Sequence, residues 1–362
     1  MFQFSQKSRW LIALVMSVLV AACGGGASTP EERSADSESE ASEPYRVAAL
    51  LTGTENDGGI SQGFVEGMRL AEEKYNVEIR TVGPIQSPDE VMQQGAAFAQ
   101  EGFDLVFIVH SGLVDSTPKL AEQFPGTTFC AFFDVSEDVL AQQPENVCYF
   151  DPENQYGSFM GGVAAGLATK TGHVGAIVGM DIPLATRQAQ GFHLGAKCVN
   201  PDVEYDEIFT GDFNDAAKAR TAAESLYRGG ADILIAAVDS AIQGMFTVAE
   251  AQDGRYVVAQ YFDNYEAAPD VVLTSVLFGL DEIALTMIED GMAGELERQY
   301  RFTDKFSLAP FRQHEELLGE ENIAKITEIH ERVLAGEIEI PQEDVIGAKG
   351  SAATIDVETL GC

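Results

Sequence analysis

The feature that most constrains the fold is a regular alternation of apolar runs with segments of helical periodicity from Tyr45 onward. The runs with strand character are YRVAALLTG, VEIRTVG, FDLVFIVH, TTFCAFF and NVCYF, followed later by HVGAIVGM, VEYDEIFTG, ADILIAAVD, RYVVAQYF and VVLTSVLF. Most of these runs are apolar throughout, without the polar alternation of a half-exposed strand. The pattern therefore predicts parallel strands that helices cover on both faces.

The alternation starts again near the middle of the chain. A helical segment with small residues on one face, NQYGSFMGGVAAGLATK, follows the fifth run and opens a second series of strands and helices. Two successive series predict two doubly wound α/β lobes. A single (β/α)₈ barrel of similar length is the alternative architecture. Near the C-terminus, the periodicity of residues 314–337 predicts one amphipathic helix.

The N-terminus has the pattern of an exported lipoprotein. Two cations, Lys7 and Arg9, precede an apolar run from Trp10 to Ala22, which is 13 residues long. A helix needs about 20 residues to cross a bilayer, so this run fits a signal peptide instead. The run ends in VAAC, which looks like a bacterial lipobox, in which the Cys is acylated. We predict a signal peptide over 1–22 and lipid on Cys23, and an ordinary signal peptide with a coincidental Cys is the alternative.

The chain after the signal peptide divides into a tether and a globular part. The stretch TPEERSADSESEASE is rich in acids and has no large apolar residue, so it cannot bury enough surface to fold. We predict a lipidated flexible tether over 23–44 and an N-terminal lobe from 45–153 plus about 278–306. The C-terminal lobe is predicted from 154–277 plus about 307–345, with a tail over 346–362.

Charge and cysteine content limit the partners and the compartment. The formal charge is −36, from 22 Lys and Arg against 58 Asp and Glu, which disfavours nucleic acid as a partner. Besides Cys23 there are four cysteines, Cys130, Cys148, Cys198 and Cys362, which allow three pairings in an exported chain. Cys130 and Cys148 both lie in strand-like runs, where two buried thiols are the alternative to a disulfide.

Candidate ligand-binding residues follow the strand-like runs, because ligands of open α/β sheets lie beyond the carboxyl ends of the strands. In the first half these candidates are Asp57, Gly58, Gly59, Ile60, Ser61, His110, Ser111 and Asp134. In the second half they include Arg187, Asp239 and Asp263, with Asp181 on the same rim. Several aspartates against the one nearby cation, Arg187, favour a neutral or cationic ligand over an anionic one. Helix N-capping is the alternative role for Asp212, Asp215 and Asp239.

Motifs of catalysis and cofactor binding are missing from the sequence. It contains no GxGxxG after a strand, no Walker A motif and no HExxH, and its five histidines are scattered. We therefore expect no catalytic residue, no metal and no cofactor. A binding protein is the class that remains.

Several segments in the second half carry a resemblance to a known family. These are NQYGSFMGGVAAGLATKTGHVGAIVGMDIP, GFHLGAKCVNP, TGDFNDAAKA, GGADILIAA and PDVVLTS. In this order and spacing they resemble the basic membrane protein (BMP) family of bacterial lipoproteins, whose members include purine nucleoside receptors. The resemblance covers about Val47 to Asp290. It implies a type I periplasmic binding fold, with two lobes and a hinged cleft, that serves an ABC importer.

The family's nucleoside contacts can be transferred position by position. Asp57 is retained, but Ile60 stands where the family has a stacking Phe, and Gln188 stands at the second stacking aromatic. Tyr261 occupies the position of a ribose-binding Asp, and Phe278 that of a Lys. An Asp at the end of the fourth strand corresponds to Asp134, with an offset of one residue. The resemblance thus implies a retained scaffold with changed ligand contacts.

Together these observations predict a lipid-anchored solute receptor outside the cytoplasm. It would bind a small neutral or cationic metabolite, nucleoside-like or otherwise partly apolar, and dock on ABC permease subunits as a monomer. The alternative is a ligand-sensing lipoprotein that signals to a membrane partner without transport.

Overall fold

The computed structural model describes residues 43–110 and 112–362. The predictions for the signal peptide, for Cys23 and for Ser111 lie outside the described residues, as does nearly all of the predicted tether. The first five strands are β1 (Tyr45–Leu51), β2 (Val77–Val82), β3 (Leu105–Val109), β4 (Thr128–Phe132) and β5 (Val147–Asp151). The others are β6 (His173–Val178), β7 (Glu204–Phe209), β8 (Ile233–Ala237), β9 (Tyr256–Gln260), β10 (Val272–Leu277), β11 (Gln299–Arg301) and β12 (Ser307–Leu308).

Helices follow most of these strands. The first six are α1 (Ile60–Lys74), α2 (Pro88–Gln100), α3 (Thr117–Gln123), α4 (Glu137–Leu140), α5 (Asn154–Ala168) and α6 (Pro183–Val199). The remaining α-helices are α7 (Ala216–Gly229), α8 (Ile242–Ala249), α9 (Leu280–Ala293), α10 (Glu315–Leu318), α11 (Glu320–Leu334) and α12 (Glu343–Ile346). Short 3₁₀ turns cover Val114–Ser116, Tyr265–Ala267, Arg312–His314, Ser351–Thr354 and Val357–Leu360.

The strands form two separate six-stranded sheets. The first has the order β11-β5-β4-β3-β1-β2, and the second has the order β12-β10-β9-β8-β6-β7. Their pairs are parallel except the short antiparallel pair of β10 with β12. This confirms two doubly wound α/β lobes and excludes the alternative of a single closed barrel.

Apolar packing covers each sheet on both faces. In the first lobe, one face of the sheet packs under α1 and α9 and the other under α2 and α3. In the second lobe, α5, α6 and α11 cover one face and α7 and α8 cover the other. Burial on both faces is the reason that the strands read as continuous apolar runs.

The small-residue face of α5 allows close contact with α6. A Cβ added at Gly162 would collide with the carbonyl oxygen of Phe192, and one at Gly195 would collide with that of Phe159. Each helix therefore contributes a glycine against the other's backbone, which sets the position of α6 and of the side chains at its N-terminal end.

The chain crosses between the lobes three times. It passes from β5 in the first sheet to α5 in the second lobe, and from β10 in the second sheet back to α9, which packs against α1. It then passes from β11 in the first sheet to β12 in the second. Three adjacent crossings are the connection expected for lobes that rotate about a hinge.

The amphipathic helix predicted over 314–337 is wrong as a single element. Gly319, at φ 79°, separates α10 from α11. Positive φ is readily accessible to glycine, so this residue turns the chain where periodicity alone predicted a continuous helix.

All four described cysteines are paired. Cys130 and Cys148 face each other in register on β4 and β5, with Cα atoms 4.4 Å apart, so the alternative of two buried thiols is wrong. Cys198 at the end of α6 joins Cys362, with Cα atoms 5.4 Å apart. Lys197 adds hydrogen bonds to the carbonyls of Ala352, Ala353 and Ile355. The tail is therefore attached to the second lobe covalently and by hydrogen bonds.

Candidate ligand-binding cleft

The loop after β1 places a carboxylate at the N-terminus of α1. Asp57 Oδ1 accepts hydrogen bonds from the backbone N–H groups of Gly59 at 2.9 Å and Gln62 at 3.1 Å. The hydroxyl of Ser61 accepts from Gly53 N–H at 2.9 Å, which fixes the start of the loop. Ser61 thus supports the loop, while Asp57 neutralises the free N–H groups at the helix start.

Asp239 approaches this loop from the other lobe. It follows β8, and its Oδ1 lies 2.6 Å from the position that a Cβ on Gly59 would occupy. Burial and then the charge of Asp57 raise the pKa of Asp239 to about 7. The capping alternative fails here, since α8 begins at Ile242 and shows no side-chain cap, whereas Asp215 does cap α7.

An aromatic pair lies beside these carboxylates. The rings of Tyr261 and Phe278 have centroids 5.4 Å apart, and Gln188 Nε2 donates to the Tyr261 hydroxyl at 3.2 Å. Burial, and then the charge of Asp239, raise the pKa of Tyr261, so the hydroxyl keeps its proton. Tyr261 has φ 71°, which is rare for a residue other than glycine and places strain at this position.

Ile60 lies between the two lobes. It is partly buried and packs against the apolar cores of both. The neighbouring Gly58 is exposed at φ 73°, and its N–H donates to the side chain of Gln62. The structure thus brings together six of the predicted residues across the lobes: Asp57, Gly59, Ile60, Gln188, Asp239 and Tyr261.

Other predicted residues have different surroundings. Phe278 is fully buried behind Tyr261, where its ring touches Gly157 of α5. His110 is partly buried, accepts a hydrogen bond from Gly112 N–H, and has its pKa lowered by burial. Neither is placed in contact with the carboxylate pair.

The expectation of a single cation on the rim is wrong, and three predicted ligand residues form ion pairs within the protein. Arg187 donates to both oxygens of Asp151 at 2.8 and 2.7 Å, with both side chains almost fully buried. Asp134 pairs with Arg301 at 2.6 Å. Asp263 pairs with Arg312. Each of these charges is neutralised within the protein, because arginines distant in sequence fold back onto the rim.

Sequence reasoning missed the buried charges at the first crossing. Glu153 connects β5 to α5 with φ 46°, and its carboxylate accepts from the side chain of Gln155. Burial and then the charge of Asp151 raise the pKa of Glu153 to about 7. A short polar stretch, DPENQ, between an apolar strand and a small-residue helix was the available signal.

A separate cavity of about 410 Å³ lies on the hinge side of Tyr261. Residues of α1, of the segments after β9 and β10, and of the third crossing line it, among them Glu66, Asp263, Asp281 and Lys305. The described residues contain no group of three or more His, Cys, Asp or Glu side chains placed to hold a metal ion. None of the described helices is long and apolar enough to cross a membrane.

Two doubly wound lobes, three crossings and a polar–aromatic cleft define the class of solute-binding proteins of ABC transporters. The chain belongs to the BMP family, described as "ABC transporter substrate-binding protein PnrA-like", whose pattern matches residues 45–344. This confirms the resemblance and a binding role rather than an enzymatic one, in an extracytoplasmic setting.

Individual proteins that are similar to this chain agree with the family assignment. The chain is 25% identical to a "CD4+ T-cell-stimulating antigen" of Listeria innocua, over 93% of this chain and 99% of that one. It is 29% identical to the "ABC transporter nucleoside-binding protein BmpA" of Lactococcus lactis, over 56% of this chain and 58% of that one. A solute-binding protein structure from Aeropyrum pernix has a TM-score of 0.71 at 20% identity, covering 83% and 94% of the two chains. A structure from Conexibacter woesei has a TM-score of 0.69 at 23% identity, covering 82% and 99%.

Proposed function

We propose that this protein is the lipid-anchored receptor of an ABC importer and binds a small neutral or cationic metabolite between its lobes. In this proposal Cys23 carries the lipid, residues 24–44 form the tether, and the lobes are 45–153 plus about 278–306 and 154–277 plus about 307–345. The loaded, closed form docks on the permease. A signal peptide over 1–22 directs export.

The observation that carries the ligand class is the meeting of Asp57 and Asp239 from opposite lobes. Among the described residues, neither has an ion-pair partner, whereas Asp134, Asp151 and Asp263 each have an arginine. Two carboxylates without a cation attract hydrogen-bond donors and positive charge and repel phosphates and dicarboxylates. The ligand's donors would therefore face this pair.

The aromatic side of the cleft supports a partly apolar ligand. The ring of Tyr261 and the side chain of Ile60 offer apolar surface, and Gln188 and the Tyr261 hydroxyl offer polar atoms. Sites for small metabolites combine such surfaces with a few directed polar groups. A nucleoside held in a new orientation fits this description, and the name of the Lactococcus relative favours that class.

The test is a thermal-shift screen that pairs uncharged nucleosides and amines with their phosphorylated counterparts. A ligand at a concentration a hundredfold above its Kd stabilises the folded protein by about 2.7 kcal/mol. This raises the melting temperature by several degrees. We expect hits among neutral and cationic compounds that Asp239→Asn weakens and that Asp253→Asn, on an exposed turn away from the cleft, leaves unchanged. A phosphorylated metabolite as the strongest hit would contradict the proposed ligand class.

A further inference from the structure

Within residues 43–110 and 112–362, no cation forms an ion pair with the carboxylates Asp57 and Asp239 between the lobes. Asp239 faces Asp57 from the β1–α1 loop, the Tyr261 hydroxyl from the end of β9, and the N-terminus of α1 at Gly59. Of these groups, Asp57 is the other carboxylate. Two N–H groups at the start of α1, those of Gly59 and Gln62, already donate to Asp57 Oδ1. The surroundings of Asp239 therefore disfavour its charged form.

The two carboxylates belong to lobes built on different sheets. Asp57 is attached to the first lobe and Asp239 to the second, and Asp239 packs directly on Gly59. A rotation that opens the cleft separates them and returns both to water. Their repulsion and the burial of Asp239 are thus properties of the closed form alone.

We propose that closure of the two lobes takes up one proton at the Asp57–Asp239 pair, so that the cleft closes more readily in acidic than in alkaline surroundings. The inference rests on the proposed function only in that a solute-binding protein opens and closes its lobes. It adds a pH dependence of closure that is present in the solute-free protein.

The direction of the pH dependence of closure follows from proton linkage. The pKa of Asp239 is about 7 in the closed form, and exposure in the open form returns it to the ordinary value of about 3.9. Between these values the closed form holds one more proton, so the closing equilibrium falls by up to about tenfold for each pH unit of increase. Above about pH 7 neither form holds the proton, and the dependence ends.

Small-angle scattering of the solute-free protein at about pH 5 and about pH 8 tests this directly. The full mature chain is expected to be more compact at the lower pH. Asp239→Asn removes the titrating group and should be nearly equally compact at both values, whereas Asp57→Asn removes the repulsion but not the burial of Asp239 and should reduce the response only in part. Glu153→Gln, which removes another carboxyl whose pKa is raised, and the surface control Asp253→Asn should keep the wild-type response. A pH-independent wild type, or a full response retained in Asp239→Asn, would overturn the proposal.

Binding experiments then distinguish this inference from the proposed function. Spermidine serves as a cationic probe and uridine as a neutral one in calorimetry across the same pH range. A cation would replace the proton, so its affinity should rise with pH, whereas the affinity of a neutral solute should fall. If neither probe nor any screened metabolite binds, the ligand class fails while the scattering result still decides the proton linkage.

Discussion

Arg187 on α6 holds Asp151 at the end of β5 through two hydrogen bonds, of 2.8 and 2.7 Å, across the first crossing between the lobes. Asp151 Oδ1 also accepts from the backbone N–H of Glu153, so the same carboxylate orders the crossing strand. Arg187, a predicted ligand residue, thus joins the two lobes at the first crossing.

This buried pair predicts a large and asymmetric mutational effect. Arg187→Met leaves the Asp151 carboxylate buried without its partner and should reduce the free energy of unfolding by about 3–5 kcal/mol. The exposed pair Arg220–Glu224 provides the control, where Arg220→Ala should cost about 0.5 kcal/mol. Urea denaturation measures the free energy of unfolding of both variants. Equal small losses in the two variants would show that the buried pair is not required for stability.

The contact between Gly59 and Asp239 predicts a steric test of closure. Gly59→Ala puts a methyl group 2.6 Å from Asp239 Oδ1, so the Asp239 side chain must shift and its contact with the β1–α1 loop of the other lobe is weakened. Hydrogen–deuterium exchange should rise in peptides containing Asp57 and Asp239. Gly126→Ala, with no atom within 4 Å of the new Cβ, is the matched control.

The double variant Gly59→Ala/Asp239→Ala removes the collision and should restore slow exchange near Asp57. Unchanged exchange in Gly59→Ala alone would mean that the closed contact is not maintained in solution.

The changed ligand contacts predict weak binding of purine nucleosides. By the resemblance to the family, Ile60, Gln188, Tyr261 and Phe278 stand at the positions expected for two stacking rings, a ribose acceptor and a cation. A stacking contact is worth about 0.5–1.5 kcal/mol and a charge-assisted hydrogen bond about 1.5–3 kcal/mol. Losing two of each lowers affinity more than about a thousandfold, so inosine, guanosine and adenosine should bind in the millimolar range or not at all.

Calorimetric titration of protein freed of solute by unfolding and refolding measures these constants. A submicromolar Kd for any of the three would show that the cleft rebuilds the nucleoside site with other residues.

Lipid attachment at Cys23 predicts a change of cellular fraction. The acylated protein should sediment with membranes, because acyl chains contribute about 0.8 kcal/mol for each buried CH₂. Cys23→Ser should release the mature chain into the soluble extracytoplasmic fraction. A second substitution, Ser28→Ala, lies outside the lipobox and should leave the protein in membranes. Retention of Cys23→Ser in the membrane fraction would refute the lipobox.

The architecture was largely readable from local pattern. Continuous apolar runs separated by amphipathic segments predicted buried parallel strands, because burial on both faces requires that composition in the central strands. Their restart at Asn154 predicted two lobes. Residue types that act locally were equally informative, as when Ser87 and Asp215 begin helices by accepting bonds from nearby N–H groups. These patterns depend only on residues that are close together in the sequence.

The sequence by itself therefore determined the two-lobed fold, the family and the strand ends that form the cleft. Tertiary structure alone decided which of the charged side chains at those strand ends remain without an arginine partner. Arg301 lies more than a hundred residues along the chain from Asp134, yet it neutralises that carboxylate. Arg312 lies about fifty residues from Asp263 and does the same there. Coulomb energy depends on distance in space and on burial, not on separation along the chain. Only the folded molecule therefore distinguishes Asp57 and Asp239 from their neutralised neighbours.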